Sequence, residues 1–210
     1  MANYVYVTKK EVQATKKEVM QLIHKAQNEV RDKFTFSYQF IGSSSRNMVT
    51  MLENGNEGYD LDVNIRVNDE DEDYSASEIK HILMRAFNKY VNCYDYDYSE
   101  DSKRVFTIKV KDRENSRILH SVDFAVVHDC DDGRQQYIHF NKKQNTYEWQ
   151  YQGKGFYQLK EKEEWITKHG LKNELNDVYL HNKNANKDSN KKSRSIYAES
   201  VSQVCRNNGY

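Results

Sequence analysis

The chain has no proline among its 210 residues, and nothing in the sequence gives that absence a functional reading. It has only three cysteines, Cys93, Cys130 and Cys205, and they are far apart. No two have metal-ligand spacing, and an odd, scattered set excludes a disulfide framework. Each reads as an idle or buried thiol in a reducing compartment. The 7 histidines show no H-x-x-x-H spacing, so a zinc signature is missing too. Net charge is absent, because 32 basic and 32 acidic residues cancel. No global field therefore draws the chain to nucleic acid. No apolar run is long enough to cross a bilayer. The segment Met1 to Lys10 lacks the apolar core and cleavage pattern of a secretion signal. The expectation is a cytoplasmic protein with no membrane partner.

Apolar residues make up only 37% of the chain, and the mean hydropathy is −1.01. The chain is nevertheless not expected to be disordered, since 16 Tyr, 8 Phe and 2 Trp supply large buriable surfaces. The length suits one core with a small appended lobe. Charge is uneven along it. Asp69 to Asp73 form an acidic run, and the tail carries Lys183, Lys187, Lys191, Lys192 and Arg194.

Residues 8–33 predict a helix. Thr8 and Glu11 form a capping box, and Val12, Val19, Leu22, Ile23, Ala26 and Val30 recur at helical spacing. A strand follows over 34–41 and ends at Gly42, with a short helix opening near Ser43. Residues 53–58 read as a loop and 59–67 as a strand. A helix capped by Ser77 is expected to run to about Tyr90. Strands are expected over 104–110 and 118–127, as neighbours in one sheet, and a hairpin over 136–140 and 146–151. Helices are expected over 159–169, 171–180 and 195–205, separated by an Asn- and Lys-rich loop at 181–192. This order predicts an α+β fold. A mixed β-sheet core with an N-terminal helix would occupy 1–152, with helices packed on one side. A small C-terminal helical lobe would occupy 153–210. A cleft between them would be the natural ligand site.

The chemistry lies in three carboxylates. On the strand Gly58-Tyr59-Asp60-Leu61-Asp62-Val63-Asn64-Ile65, Asp60 and Asp62 share one face while Leu61, Val63 and Ile65 share the other. Asp123 lies in the apolar strand Ser121-Val122-Asp123-Phe124-Ala125-Val126-Val127. Hard oxygen ligands so arranged suit Mg²⁺, with Mn²⁺ as its substitute. Two such ions can clamp the attacking and leaving oxygens of a displacement at phosphorus. Carboxylates this close repel one another unless a cation lies between them. Upstream, Phe40-Ile41-Gly42-Ser43-Ser44-Ser45-Arg46 offers a turn whose glycine lets the backbone approach a phosphate and whose Ser43 adds a hydroxyl.

Taken singly, each feature has a bland reading. Asp95-x-Asp97 and Asp69-x-Asp71 also fit a D-x-D spacing, in loop-like stretches. A Gly-Ser pair usually marks a turn, and Asp123 could be a satisfied core carboxylate. The acidic stretch His128 to Gly133 reads as a turn, since it lacks the EF-hand pattern. Gln152-Gly153-Lys154-Gly155 lacks the spacing of a phosphate loop. The tyrosines from Tyr94 to Tyr98 read as packed surface before they read as base-stacking platforms.

Jointly, Gly42-Ser43, Asp60-Leu61-Asp62 and Ser121-Val122-Asp123 resemble the signature of the DNA polymerase beta-like nucleotidyltransferase superfamily. The stretch from Ile118 to Val127 and the N-terminal helix are similar to the branch of oligoadenylate synthases and cyclic GMP-AMP synthase. The resemblance covers about residues 34–130. It implies that Asp60, Asp62 and Asp123 are catalytic metal ligands and that Gly42 and Ser43 meet a nucleoside triphosphate donor, ATP being one. It also implies phosphate and base contacts from the C-terminal helices, for which Lys183, Lys192, Ser195 and Tyr197 are the candidates. The acceptor would be a hydroxyl of a small molecule, a nucleotide, RNA or protein. Residues 153–210 are few beside the large helical domains of cyclic-dinucleotide makers, so simple nucleoside monophosphate transfer is the expectation. The rival readings are a catalytically silent nucleotide sensor, a cyclic or oligonucleotide synthase, and an acidic interaction domain without a nucleotide site.

Overall fold

The computed structural model describes residues 3–69, 73–188 and 190–210. Residues 70–72 of the acidic run lie outside that set. By internal contacts the chain divides into two compact units. One is Tyr6–Gln152; the other joins residues 3–5 to Gly153–Tyr210.

The chain opens with β1 (Tyr4–Tyr6) and α1 (Lys9–Val30). The first helix is set by its sequence. The Thr8 side chain accepts the Glu11 amide, and the Glu11 carboxylate accepts the Thr8 amide, as the capping box requires. Its buried stripe is Val12, Thr15, Val19, Leu22, Ile23, Ala26 and Val30. Next come β2 (Thr35–Ile41), α2 (Gly42–Arg46), β3 (Thr50–Leu52), β4 (Glu57–Asn68) and α3 (Ala76–Asn88). The cap of α3 is Ser75, not Ser77, because Ser75 has Glu78 three residues on to complete a capping box. After a 3₁₀ turn at Val91–Tyr94, the strands β5 (Glu100–Asp101), β6 (Phe106–Asp112), β7 (Arg117–Asp129), β8 (Gln135–Asn141) and β9 (Thr146–Tyr151) complete the larger unit.

Seven of these strands form one mixed sheet in the order β2-β4-β7-β6-β5, with β8 on β7 and β9 on β8. β4 and β7 run parallel, and the other pairs in it are antiparallel. β8 takes over the edge of β7 beyond the end of β6, at Val127 to Asp129. One sheet face carries Leu61, Val63, Ile65, Phe106, Ile108, Val122 and Phe124, all at 0–1% exposure, against α1 and α3. Phe87 of α3 meets Phe106 and Phe124 at ring centroid distances of 5.3 and 4.6 Å.

Two polar clusters belong to this core. Lys80 of α3 is 1% exposed, pairs with Asp101 at 2.7 Å and donates to the Ser102 carbonyl. Its ammonium also lies over the rings of Phe140 and Tyr147, while the Tyr147 hydroxyl donates to Asp101. Burial pulls the Lys80 pKa down, and Asp101 pulls it partly back. The second cluster is His120, stacked on Tyr59 and hydrogen-bonded to the Tyr96 hydroxyl at 2.9 Å. Burial holds the His120 imidazole below its ordinary pKa.

The smaller unit contains α4 (Lys154–Lys168), α5 (Lys172–Ala185) and α6 (Ser193–Asn207). Helix α5 runs through the first part of the expected 181–192 loop. Tertiary partners override the polar composition there. Asn182 donates to Ser200 and Gln203, Asn184 clasps the backbone of Tyr4, and Lys183 lies 4.3 Å from the Tyr4 ring centroid. Helix α4 likewise starts five residues before the expected Leu159. Among the described residues no helix is long and apolar enough to cross a membrane.

Lys80→Ala strips the half-buried Asp101 of its cation and is expected to cost at most about 3–5 kcal/mol in denaturant unfolding. A cost within experimental error would show that the pair is not integral to the core. His120 sets a pH dependence. The folded chain resists its protonation more than the unfolded chain does, so its stabilisation is complete above about pH 6.5 and is lost as pH falls through and below that value. His120→Gln should therefore melt with a shallower decline between pH 7 and 5 than the native chain.

Candidate active site

The site is built by strand register. Parallel pairing of β4 with β7 sets Asp60 opposite Ser121 and Asp62 opposite Asp123. Antiparallel pairing of β6 with β7 sets Thr107 opposite Asp123 and Lys109 opposite Ser121. Partners across a ladder share a face, with strands about 4.8 Å apart. Two rows therefore cross the sheet on the face away from Leu61, Val122 and Phe124: Asp62-Asp123-Thr107 and Asp60-Ser121-Lys109. Asp123 is thus beside the D-x-D pair despite the sequence between them. Asp60 is exposed, and Asp62 and Asp123 are half-buried.

Each carboxylate leans on a different neighbour. The Ser121 hydroxyl donates to Asp60 Oδ1. The Thr107 hydroxyl donates to Asp123 Oδ1 at 2.5 Å. Asp62 Oδ2 lies against Gly42, where an added Cβ would collide with it. Burial pushes the Asp123 carboxyl above the usual carboxylate range, and the charge of Asp60 pushes it further. The Thr107 hydrogen bond and the Lys109 cation oppose that rise. Lys109 is itself paired with Glu100 at 2.5 Å.

The glycine turn reaches the carboxylates because Ile41, the last residue of β2, pairs with Asp62. Gly42 then turns away from the strand at a φ of 63°, a left-handed backbone that favours glycine. The Ser44 hydroxyl donates to the Ile41 carbonyl and the Ser45 hydroxyl to the Gly42 carbonyl, both at 2.9 Å. Lys16 Nζ donates to the Ser44 carbonyl at 2.7 Å and lies 5.2 Å from the Phe40 ring centroid. Among the described residues the Ser43 hydroxyl makes no hydrogen bond, so it is the one hydroxyl of the turn left for a ligand.

The three aspartates differ from a finished metal site. Among the described residues no group of three Asp, Glu, His or Cys side chains is gathered around one point where an ion would sit. Asp60 and Asp123 each hold a hydroxyl partner of their own. Their chemistry nevertheless fits a hard divalent cation. The backbone sets them side by side, all donors are carboxylate oxygens, and Asp123 carries both a burial penalty and repulsion from Asp60 that a cation would relieve.

The other expected contacts lie in the smaller unit. Lys183 is 8% exposed, with its ammonium over the rings of Tyr4 and Tyr179. Tyr197 is 6% exposed, meets Tyr179 edge-on and donates its hydroxyl to Glu163 at 2.7 Å. Both side chains are engaged in the packing of that unit. Lys192 is the exposed N-cap residue of α6, and Ser195 is exposed in its first turn. Sequence reasoning passed over Thr107, Lys109 and Ser121 as site residues. The available signal was parity: Thr107 and Lys109 alternate with Phe106, Ile108 and Val110 as the aspartates alternate with Leu61 and Val63. A shallow depression at the β6–β7 turn, lined by Lys111, Asp112, Arg113, Ser116, Arg117 and Ile118, does not include the carboxylates.

No family model matches the chain, and no curated protein matches it. Solved structures do. The GTP-bound form of DncV from Vibrio cholerae matches with a TM-score of 0.59 at 16% identity, over 95% of this chain and 52% of that one. Its 3'-deoxy ATP-bound form matches with 0.59 and 16%, over 95% and 53%. DncV in complex with the linear intermediate 5' pppA(3',5')pG, described as a cyclic AMP-GMP synthase, matches with 0.58 and 13%, over 95% and 59%. The chain spans little more than half the length of these proteins. At such identities the likeness is one of fold. The α+β architecture is similar to the nucleotidyltransferase fold of DncV, described as a prokaryotic cGAS homolog, and the resemblance drawn from the motifs holds at that level.

Gly42→Ala is expected to cost about 1–3 kcal/mol for the left-handed backbone, and more for the collision with Asp62. Gly133 has a φ of 78° with open space around the added Cβ. Equal losses in melting stability for Gly42→Ala and Gly133→Ala would refute the close approach of Asp62 to the turn.

Proposed function

We propose that the chain is a Mg²⁺-dependent nucleotidyltransferase that moves a nucleoside monophosphate from a triphosphate to an acceptor hydroxyl and releases pyrophosphate. The observation that carries this reading is the register that puts Asp123 beside Asp62 and next to Asp60, all facing one way, at the foot of the Gly42-Ser43 turn. The fold shared with DncV structures bound to GTP and to 3'-deoxy ATP supports a triphosphate donor.

In this reading Asp60, Asp62 and Asp123 hold the divalent ions, with Mn²⁺ as a substitute. Bound there, the ions would neutralise the phosphates and stabilise charge on the attacking and leaving oxygens. The rest falls to the chain. Asp123, beside the ions it helps to hold, would help activate the acceptor hydroxyl. The turn offers backbone N–H groups and the Ser43 hydroxyl to the triphosphate.

Synthesis of a linear or cyclic dinucleotide is the second reading, favoured by the fold match to a cyclic AMP-GMP synthase. Incubation with each of the four triphosphates and Mg²⁺, followed by mass spectrometry, separates the two by product. The native chain should release pyrophosphate only with metal, and Asp60→Ala and Asp123→Ala should lower the rate by about a hundredfold or more. Triphosphate binding without turnover across varied acceptors would favour a sensor. No melting shift with any triphosphate and Mg²⁺ would remove the nucleotide site altogether.

A further inference from the structure

We propose that Thr107 and Ser121 are positioning residues of the carboxylate site, each fixing one oxygen of an aspartate so that the second oxygen is presented to a divalent cation. The inference rests on the metal-site reading above and gives a role to Thr107, which no motif contains, and to Ser121, which the motifs leave without one. Thr107 holds Oδ1 of Asp123 at 2.5 Å, and Ser121 holds Oδ1 of Asp60. Both hydroxyls come from central strands, β6 and β7, at positions in register with the ligand rows. Each hydroxyl has a single proton to donate, so each can occupy one carboxylate oxygen and no more. A carboxylate otherwise free to rotate about its last torsion is thereby fixed in orientation. Rigid strands are also better platforms for such support than loops. The two hydroxyls serve two different aspartates, which is the pattern expected of support for a shared ligand set. Partners of this kind around metal ligands typically set affinity by about 10–100-fold.

A purely structural role makes the opposite forecast. If the hydroxyls only tie the aspartates down, an ion must displace them, and their removal would leave affinity unchanged or improved. The test is Mn²⁺ titration of the full chain by calorimetry without nucleotide, on the native protein, Thr107→Val, Thr107→Ser and Ser121→Ala, with Asp123→Ala as the ligand control. Melting curves establish that each variant is folded. We expect Thr107→Val and Ser121→Ala to bind Mn²⁺ about 10–100-fold more weakly, and Thr107→Ser, which keeps the donor, to bind as the native chain does. Unchanged or tighter binding in folded Thr107→Val and Ser121→Ala overturns the positioning role while leaving the metal site standing. A native chain that takes up no Mn²⁺ overturns the metal site and this role with it. Should Thr107→Val fail to fold, Ser121→Ala decides alone by the same criterion.

Discussion

The pairing of β4 with β7 is the constraint on which the rest depends. These strands run parallel at the centre of a mixed sheet, and their register brings together residues from two distant segments of sequence. A slip of one residue would turn every side chain of β4 to the opposite face. Leu61, Val63 and Ile65 would meet solvent, and Asp60 and Asp62 would enter the apolar layer beneath α1 and α3. The hydrophobic effect thus enforces the register from one face, and the carboxylates on the other face are positioned as a consequence. Gly58 adds a steric lock, since a Cβ there would collide with the Leu119 carbonyl. That close approach lets β4 enter the ladder at the point where its partner begins.

The two faces of the sheet carry opposite kinds of stability. Beneath it, Phe87, Phe106, Phe124 and the aliphatic stripe of α1 bury apolar surface, and even the polar members there are satisfied. Lys80 meets Asp101, and His120 meets Tyr96. Above it, burial and the charge of Asp60 raise the electrostatic cost of Asp123, with Lys109 as a partial counterweight already shared with Glu100. Such repulsion is a local instability that a cooperative core can carry. Sites of chemistry commonly hold charge in this unfavourable state, because a ligand of opposite sign then binds with the release of that penalty.

Much of this was legible in the sequence, for identifiable reasons. The strand at 59–67 declared itself by strict alternation, and α1 by its capping box and its stripe. The neighbouring strands 104–110 and 118–127 were readable as β6 and β7 from apolar runs bounded by turns. What a single sequence does not contain is the parallel register that seats Asp62 beside Asp123, since pairing depends on the sum of contacts over the sheet. The hydroxyl partners were hidden for the same reason: Thr107 and Ser121 become informative only once β6, β7 and β4 are aligned. The errors were local. Ser75, with Glu78 at the capping-box distance, caps α3 two residues before the expected Ser77. Residues 181–185 were read as loop because Asn and Lys are poor local evidence for a helix, whereas their side chains are held by Ser200, Gln203 and the Tyr4 backbone.

The difference between the backbone and the side chains of this site explains how both can be true of one structure. The backbone arrangement is fixed by a core that has no part in the chemistry, so three aspartates and a left-handed glycine turn stay side by side at no further cost. The Asp60 and Asp123 carboxylates are held by hydrogen bonds from Ser121 and Thr107, each worth little against water. Without a cation, mutual repulsion favours separate partners over a shared centre. With one, attraction to a double charge draws on the oxygens that Ser121 and Thr107 leave open, so the hydroxyls and the ion act on different atoms of each carboxylate. A rigid sheet whose hydroxyls hold one oxygen of Asp60 and of Asp123 and leave the other open is thus an arrangement that an ion completes.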